Sequence, residues 1–514
     1  MLPFGFVLFA GLYFTARFGG RWAETDSVTF ANAIRAMVAS GQLIPSDGIV
    51  YPNGYAFQAI SAYVLALTGI SVATLQQMIY PLMAALVVLP AWALYRELSA
   101  SVRAATLATV LLFTQPEFLF VVLRSSHEKF TRTFMFVCLL LLVRSFKLRD
   151  RPWAFAAHVG LFYVAASALI ASNNLLAHSF IFALTLAMAL GWLLERFIAP
   201  HTRAAQGTAL QRLLLATITS LGLVYLFVFY FYTPAQHDLV VMHDSWERVK
   251  ALILASQPGS DTEASTFNAY AYVSFGWVSL PVYFLVSSAN WIILLSSFAI
   301  WARQGWQWLV RKQAPETRAR WLLWLLYTAF AIQGAMAVLA DYSGAIGNLQ
   351  VRLYPSFAVV AVAMVGNALT RWQPRRFGTA LRLAASALIF CIAFLSIFKA
   401  SNEPLLSNKW TFYRANEITA LDWAVTHLDN ADIGTEYDER LSVGYKMAFG
   451  LAPNNNNIRF FELENQRNLL ITAVSRLRSA RLGAPLPTPP DALQVYDNGE
   501  AQFYHVRPQT PYQK

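Results

Sequence analysis

Two carboxylates stand shortly after the first long apolar segment of the sequence. Glu24 and Asp26 follow the apolar segment 2 to 18 and stand directly before a helical pattern from Val28 to Ser40. Because a carboxylate at a membrane boundary is costly, one that stands there is a candidate catalytic group. The alternative is structural, since acidic residues at a helix N-terminus stabilise the helix by about 0.3 to 1 kcal/mol. Asp26 is the first candidate for catalysis, and Glu24 is the better candidate for a helix cap.

A second polar loop, Arg124 to Lys129, joins the third and fourth apolar segments and contains His127 and Glu128. If this loop and the first one lie on the same side of the membrane, Asp26 can converge with Glu128 or His127 beside the helix ends. The alternative is a solvated turn, in which Glu128 and Lys129 cap opposite helix ends.

Three other polar groups allow a functional interpretation. Arg352 stands at the edge of an apolar segment, where its guanidinium can bind phosphate oxygens bidentately or simply extend to the membrane surface. His178 follows Asn173-Asn174 inside an apolar segment and is either a catalyst or a hydrogen-bonded residue of a helix bundle. The loop 233 to 270 holds either a metal site or solvated side chains, at His237, Asp238, His243 and Asp244.

The composition is that of a polytopic membrane protein. Hydrophobic residues make up 57% and charged residues 13% of the 514 residues, a composition more apolar than that of soluble proteins. The net charge of +11 does not indicate a nucleic-acid partner, because the basic residues fall in short clusters between apolar segments. Cys138 and Cys391 lie inside apolar runs and predict neither a disulfide framework nor a thiolate metal site.

Apolar runs of about 17 to 25 residues are long enough to cross a bilayer as helices. We count eleven, of which the first lacks the basic start and small-residue site of a cleavable signal. They lie near residues 2 to 18, 71 to 95, 104 to 122, 131 to 146, 153 to 171, 176 to 197, 213 to 232, 278 to 301, 321 to 340, 353 to 370 and 383 to 398. The shorter apolar stretch Ala56 to Leu67 predicts a helix that lies at the membrane surface.

Basic residues indicate the orientation of these segments. With the N-terminus in the cytoplasm, eighteen Lys and Arg residues fall in cytoplasmic loops and eight in outer loops. This excess agrees with the positive-inside rule, by which cytoplasmic loops are richer in Lys and Arg. We therefore predict a multi-pass protein of the plasma (inner) membrane. Its membrane domain is 1 to 398 with a first outer loop at 19 to 70, and its extracytoplasmic domain is 399 to 514.

The tail has the patterns of a small α+β domain. Glu417 to Leu428 has the spacing of an amphipathic helix. Leu493 to His505 has the pattern of a β-hairpin with Asn498-Gly499 in its turn.

Together these features resemble the C-type (GT-C) membrane glycosyltransferases, including the catalytic subunits of oligosaccharyltransferases. Those enzymes use sugar donors linked to polyprenyl phosphate or pyrophosphate. The likeness rests on Glu24-x-Asp26, Tyr51-Pro52-Asn53-Gly54-Tyr55, Ser126-His127-Glu128, Arg352-Leu353-Tyr354, Ala420-Leu421-Asp422-Trp423 and Val495-Tyr496-Asp497-Asn498-Gly499. The tail lacks the Trp-Trp-Asp-Tyr-Gly sequence that recognises the acceptor sequon in oligosaccharyltransferases. The acceptor therefore stays open among a glycan, a lipid and a protein hydroxyl.

The resemblance implies a role for each of these residues. Asp26 is a general base or a metal ligand, and Glu128 and His127 position the acceptor or share a divalent cation such as Mg²⁺, Mn²⁺ or Ca²⁺. Arg352 holds the donor phosphate. Asp26 and Glu128 are the predicted cation ligands, and one carboxylate acting as base predicts inversion at the sugar C1. Further candidate substrate-binding residues are Glu24, Tyr51, Tyr55, His178 and Asp341.

Two other classes of function stay open. One is a transporter or flippase of a lipid-linked glycan, and the other is a non-catalytic membrane scaffold whose outer domain binds a partner. Transporters commonly have related halves and helices broken at mid-membrane, whereas the ionisable groups of this sequence gather at one face. The enzyme hypothesis requires that Asp26, Glu128 and Arg352 lie close together.

Overall fold

The computed structural model describes residues 1–18, 25–45, 51–99, 101–198, 209–237, 279–342, 349–371, 378–401, 413–428, 432–435, 459–461, 468–482 and 492–506, with isolated positions between 239 and 250 and at 486. The described part is a bundle of apolar helices followed by a small domain with a β-sheet.

The helices of the bundle follow the apolar segments of the sequence. In chain order they are α1 (Leu2–Phe18), α2 (Thr25–Ser40), α3 (Ala56–Thr68), α4 (Val72–Ser99), α5 (Val102–Phe113), α6 (Pro116–Leu123), α7 (Glu128–Lys147), α8 (Pro152–Ser172), α9 (Asn174–Phe197), α10 (Ala209–Phe231), α11 (Leu280–Val286), α12 (Ser288–Val310), α13 (Arg318–Tyr342), α14 (Leu349–Arg371) and α15 (Gly378–Ser401).

Among the described residues, seven helices are long and apolar enough to cross a membrane: α4, α8, α9, α10, α13, α14 and the part of α15 from Leu383. The pairs α5–α6 and α11–α12 are bent by 77° and 72°, and counting each pair as one span gives nine. The predicted number of eleven is not confirmed, because α1 has only 17 residues and α7 carries five charged residues in 20. The chain is a multi-pass membrane protein.

A buried lysine joins the breaks in the two bent helix pairs. Lys399 on α15 donates from Nζ to Glu117 Oε1 in the first turn of α6, at 2.5 Å, and to Ser287 Oγ between α11 and α12, at 2.7 Å. Broken helices in a membrane protein need such partners for the polar groups that the break leaves. This contact fixes the start of α6, whose far end leads to Arg124.

Helix α3 lies where the sequence predicts a helix at the membrane surface. It buries Phe57 and Ser61, whereas Ile60, Tyr63 and Leu67 form an exposed apolar stripe with 41%, 66% and 67% of each residue exposed. Residues three or four apart lie on one face of a helix. An apolar stripe of this kind is typical of a helix that rests on a membrane.

The C-terminal domain packs a helix against a five-stranded sheet. Its elements are α16 (Ala415–His427), β1 (Asp432–Thr435), β2 (Arg459–Phe461), β3 (Asn468–Thr472), α17 (Ala473–Leu482), β4 (Ala492–Asp497) and β5 (Ala501–Val506). The strand order is β2-β1-β3-β5-β4, with β1 parallel to β2 and β3 and with β5 antiparallel to β3 and β4. The predicted helix and hairpin are both confirmed. Gly499 has a φ of +86° in the turn, a conformation that favours glycine.

Candidate active site

The site is built on the sharp turn between α6 and α7. The N–H of Ser126 donates to the carbonyl of Arg124 at 2.9 Å, and Lys129 Nζ donates to the same carbonyl at 2.7 Å. Arg124, Ser126, His127 and Lys129 are all at most 7% exposed, so the turn is buried rather than solvated. A buried ammonium group thereby closes the turn that presents His127 and Glu128.

Glu128 lies between two guanidinium groups. Its Oε2 is 3.2 Å from Arg132 Nη2, and its Oε1 is 3.5 Å from Arg124 Nη2. Burial by itself raises the pKa of Glu128, but the charges of Arg132 and Arg124 lower it and bring it below the usual range of a glutamate. Glu128 is therefore a carboxylate at neutral pH.

Arg132 connects this pair to helix α14. Its side chain is 1% exposed, and its Nη1 donates to Ser356 Oγ at 2.7 Å. Ser356 lies one helical turn after Arg352, which is exposed in the first turn of α14. The charge of Arg352 also lowers the pKa of Glu128. The loop Arg124 to Lys129 and the predicted phosphate-binding arginine therefore belong to one region of the molecule.

Asp341 holds the start of the helix that carries Arg352. Its Oδ1 accepts the N–H of Leu349 and its Oδ2 that of Gln350, each at 2.8 Å. These two N–H groups have no partner within α14, because they belong to its first turn. Asp341, which the sequence predicts to bind substrate, caps the N-terminus of α14 in the structure.

His127 is a buried, neutral histidine. Asn173, at the start of α9, donates from Nδ2 to His127 Nε2, which assigns the proton of the ring to Nδ1. Burial lowers the pKa of His127 to about 3, and the cations around it add to that effect. Its Nδ1 has no hydrogen-bond partner among the described residues. The ring contacts Phe30 and Tyr51, with centroid separations of 5.0 Å and 5.3 Å.

Helix α2 packs beside the turn that carries His127. Phe30, which contacts the His127 ring, lies in the second turn of α2, and Asp26 lies one turn before it. Residues four apart occupy the same face of a helix. α2 begins at Thr25, three residues earlier than predicted, so Asp26 is part of its first turn. Glu24 and the side chain of Asp26 lie outside the described residues, and their roles stay predictions.

The motif around Gly54 closes the site from the other side. Gly54 has a φ of +145°, and a Cβ there would lie 2.5 Å from the carbonyl oxygen of Ala171, so only glycine fits. The N–H of Tyr55 donates to that carbonyl at 3.0 Å, and the N–H of Asn174 donates to the carbonyl of Asn53 at 2.6 Å. These bonds fix the loop against the break between α8 and α9, where Asn173 lies.

The remaining predicted residues lie in different surroundings. Tyr51 belongs to the site through its contact with His127, whereas Tyr55 packs against Phe227, with ring centroids 5.9 Å apart. His178 is 3.3 Å from Tyr225 OH, in agreement with a hydrogen-bonded residue of the bundle. His237, His243 and Asp244 are exposed, and Asp238 lies outside the described residues.

The described residues alone do not form a divalent-cation site. In the part of the chain that the structure describes, no three His, Cys, Asp or Glu side chains come together. Arg124 and Arg132 contact both oxygens of Glu128 and neutralise it. A cation shared by Asp26 and Glu128 stays a prediction, and we derive no step through it.

The pattern of basic residues uses Arg124 and Arg132 only as indicators of orientation. Arg132 stands four residues after Glu128 on the same helix, a spacing at which opposite charges meet, and this spacing indicates the pair. Arg124 also stands four residues from Glu128 but lies before the turn, so no helical rule indicates its contact. Ser356 carries no such signal, because its contact with Arg132 is between helices that are distant in the chain.

Comparison with solved structures identifies the fold. No protein-family model and no curated protein matches the sequence. The oligosaccharyltransferase of Archaeoglobus fulgidus tethered with an acceptor peptide is similar with a TM-score of 0.54, at 12% identity over 98% of this chain and 74% of that one. Its apo form gives 0.52 at 11% identity over 87% of this chain. Its complex with an inhibitory peptide and a dolichol-phosphate gives 0.50 at 12% identity over 87% of this chain. In the last two comparisons the chain spans 64% and 63% of the length of that enzyme. The chain thus has a GT-C-like fold, in which a polytopic helical membrane domain is followed by a small C-terminal α+β domain.

Proposed function

We propose that this protein is a membrane glycosyltransferase. It moves a sugar or glycan from a polyprenyl-phosphate or polyprenyl-pyrophosphate donor to an acceptor at the outer face of the plasma membrane. One observation carries the proposal: α2 contacts His127 through Phe30, and α14 contacts Arg132, the ion-pair partner of Glu128, through Ser356. Each of these three parts of the chain holds a residue that the sequence singled out for chemistry.

The basic groups around Glu128 suit a phosphate. Arg124, Arg132 and Arg352 each act on Glu128 electrostatically, and Arg352 is exposed in the first turn of α14. A guanidinium binds phosphate oxygens with paired, charge-assisted hydrogen bonds. The complex of the Archaeoglobus fulgidus enzyme with a dolichol-phosphate supports a ligand of this class.

The proposed reaction is a single displacement at the sugar C1. The acceptor hydroxyl gives its proton to the Asp26 carboxylate while its oxygen forms a bond to C1. The bond from C1 to the phosphate oxygen breaks, and the lipid phosphate leaves with the electron pair. Arg352 stabilises the charge on the departing phosphate, and the product has inverted configuration.

Glu128 and His127 orient the reactants in this proposal. Glu128 is ionised and contacts two guanidinium groups, so it fixes the cations that face the phosphate. His127 stays neutral at the pH of the outer face, and its Nδ1, buried and without a partner among the described residues, donates its proton to an acceptor or donor oxygen when the substrate enters the turn. A neutral donor positions an oxygen without adding charge to a site that is already basic.

Donor turnover by the purified protein tests the proposal. The protein in detergent is incubated with a panel of polyprenyl-phosphate and polyprenyl-pyrophosphate sugars, with and without a chelator, and release of the lipid phosphate is measured. Arg352→Met removes a charge-assisted hydrogen bond of about 1.5 to 3 kcal/mol and should raise the donor KM about 10- to 150-fold. Arg318→Met, at a half-exposed position in the first turn of α13, is the matched control and should have no effect. Absence of turnover with every donor contradicts the proposal.

The two bent helix pairs favour a second candidate, a flippase for a lipid-linked glycan. Helices broken within the membrane are typical of transporters. The same donors distinguish the two functions in proteoliposomes, because a flippase moves the intact lipid to the other leaflet, whereas a transferase releases lipid phosphate.

A further inference from the structure

Helix α2 is buried from two sides. Phe30, Ala31 and Ile34 pack in a hydrophobic cluster of the membrane domain, together with residues of α3 and α4. Val28, in the first turn of the same helix, is 2% exposed and lies in the hydrophobic core of the C-terminal domain. The helix that begins with Thr25 and Asp26 is therefore packed between the two domains.

The core that receives Val28 is made from both layers of the C-terminal domain. It contains Leu421 of α16 and Phe503 of β5, which are 1% and 0% exposed. Trp423 of α16 stacks on Tyr496 of β4 with ring centroids 4.6 Å apart, which holds the helix against the sheet. Interiors of this kind are close-packed, so a shift of the domain is transmitted to the side chain that it encloses.

A second contact ties the same part of the chain to the tail. Arg17, at the end of α1, donates from Nε to the carbonyl of Ser401, the last residue of α15, at 3.1 Å. The chain leaves α1 toward α2 at this point, and it leaves α15 toward the C-terminal domain at the same point. Arg17 and Val28, which stand before and after Glu24 in the sequence, therefore both contact residues near or within the C-terminal domain.

We infer that the C-terminal domain positions Asp26 through Val28, so that docking of this domain sets the first turn of α2 against the His127–Glu128 turn. The inference rests on the proposed function for the role of Asp26. Val28 is a positioning residue, because it stands two residues after Asp26 and its contacts are with the C-terminal core. The C-terminal domain is thus part of the active-site framework even where it contacts no substrate.

Hydrogen exchange of α2 and donor kinetics test the inference together. In the full-length protein, Val28→Ala should speed amide exchange in the first two turns of α2 about tenfold, the change that about 1.4 kcal/mol of lost packing produces. It should lower kcat for donor turnover at least about tenfold and leave the donor KM nearly unchanged, because the phosphate site on α14 is intact. Val28→Ile should restore both values to within about threefold of wild type.

Matched controls separate positioning from general damage. Val38→Ala is the same substitution on the same helix at a residue that is 47% exposed, and it should change neither exchange nor kcat. Leu421→Ala removes packing from the same core on the side of the C-terminal domain and should have the same effects as Val28→Ala. It provides the test if the Val28→Ala variant does not fold. Leu493→Ala, at an exposed residue of β4, is its control.

Two results would overturn the inference. One is unchanged exchange of α2 in both Val28→Ala and Leu421→Ala, and the other is faster exchange without a loss of kcat. Absence of donor turnover by the wild-type protein would instead refute the proposed function. The exchange measurements would still decide whether the C-terminal domain holds α2, so the two failures are distinguishable.

Discussion

The pair formed by Glu128 and Arg132 gives a prediction whose size follows from the structure. Their closest charged atoms are 3.2 Å apart, and the Arg132 side chain is 1% exposed. At an effective dielectric constant of about 20, this separation corresponds to an attraction of about 5 kcal/mol, which is offset in part by the cost of burying both charges. Glu128→Gln leaves Arg132 without its carboxylate, and Arg132→Met leaves Glu128 with Arg124 at 3.5 Å.

Each single substitution should therefore lower the free energy of unfolding by about 3 to 5 kcal/mol. The double variant should lose about 2 to 3 kcal/mol less than the sum, because neither charge is then left alone. The assay is equilibrium unfolding in detergent micelles for all four proteins of the cycle. Glu316→Gln is the control, because Glu316 pairs with Arg320 at 2.5 Å but is 66% exposed, and its loss should cost at most about 1 kcal/mol. Additive effects, or a Glu128→Gln cost no larger than that of Glu316→Gln, would refute the interpretation of Glu128 as the ion-pair partner of a buried arginine.

Three other predictions concern the framework of the site. His127 has a pKa of about 3 in the folded protein and an unfolded value of about 6.5, so the unfolded state binds more protons between these values and stability falls as the pH decreases. Between pH 6.5 and pH 5 this residue should lower the free energy of unfolding by about 2 kcal/mol. The free energy of unfolding of His127→Gln, measured over the same pH range, should not show this decrease. Gly54→Ala should prevent the loop from docking and abolish turnover, whereas Gly334→Ala, where a Cβ meets nothing within 4 Å, should leave melting temperature and turnover unchanged; equal effects would contradict the close approach at Gly54. Lys399→Met should cost about 3 kcal/mol of unfolding free energy by leaving Glu117 unpaired, and adding Glu117→Gln should recover most of it; no recovery would contradict the pairing.

Much of the fold could be predicted because its elements depend on local patterns. Length and apolar content predict the membrane helices and α3, and the patterns of apolar and turn residues predict α16 and the β4–β5 hairpin. The span count could not be predicted in the same way. At the start of α7, Glu128 pairs with Arg132, and Arg132 donates to Ser356 of α14. A contact between helices that are distant in the chain is not visible in a hydropathy pattern.

The candidate site could be predicted in part, for the same reason. The sequence placed Glu128, His127 and Arg352 on one side of the membrane, and the structure brings the start of α14 to the turn before α7. The roles of Arg124 and Arg132 and the capping contact of Asp341 arise from tertiary packing. The contact between Val28 and the C-terminal domain joins residues almost four hundred positions apart, and no local pattern indicates it.

The central claim is that Asp26 performs chemistry on a lipid-linked sugar beside the Glu128 turn. The most direct test is the rate of sugar transfer from a radiolabelled polyprenyl-phosphate donor by wild-type protein and by Asp26→Asn. Asp150→Asn, the same substitution at an exposed residue between α7 and α8, is the control. Asp26→Asn should lower the rate by about 10² to 10⁴ with normal expression and folding, and Asp150→Asn should not. Transfer by Asp26→Asn at a rate near that of the wild-type protein would contradict the central claim.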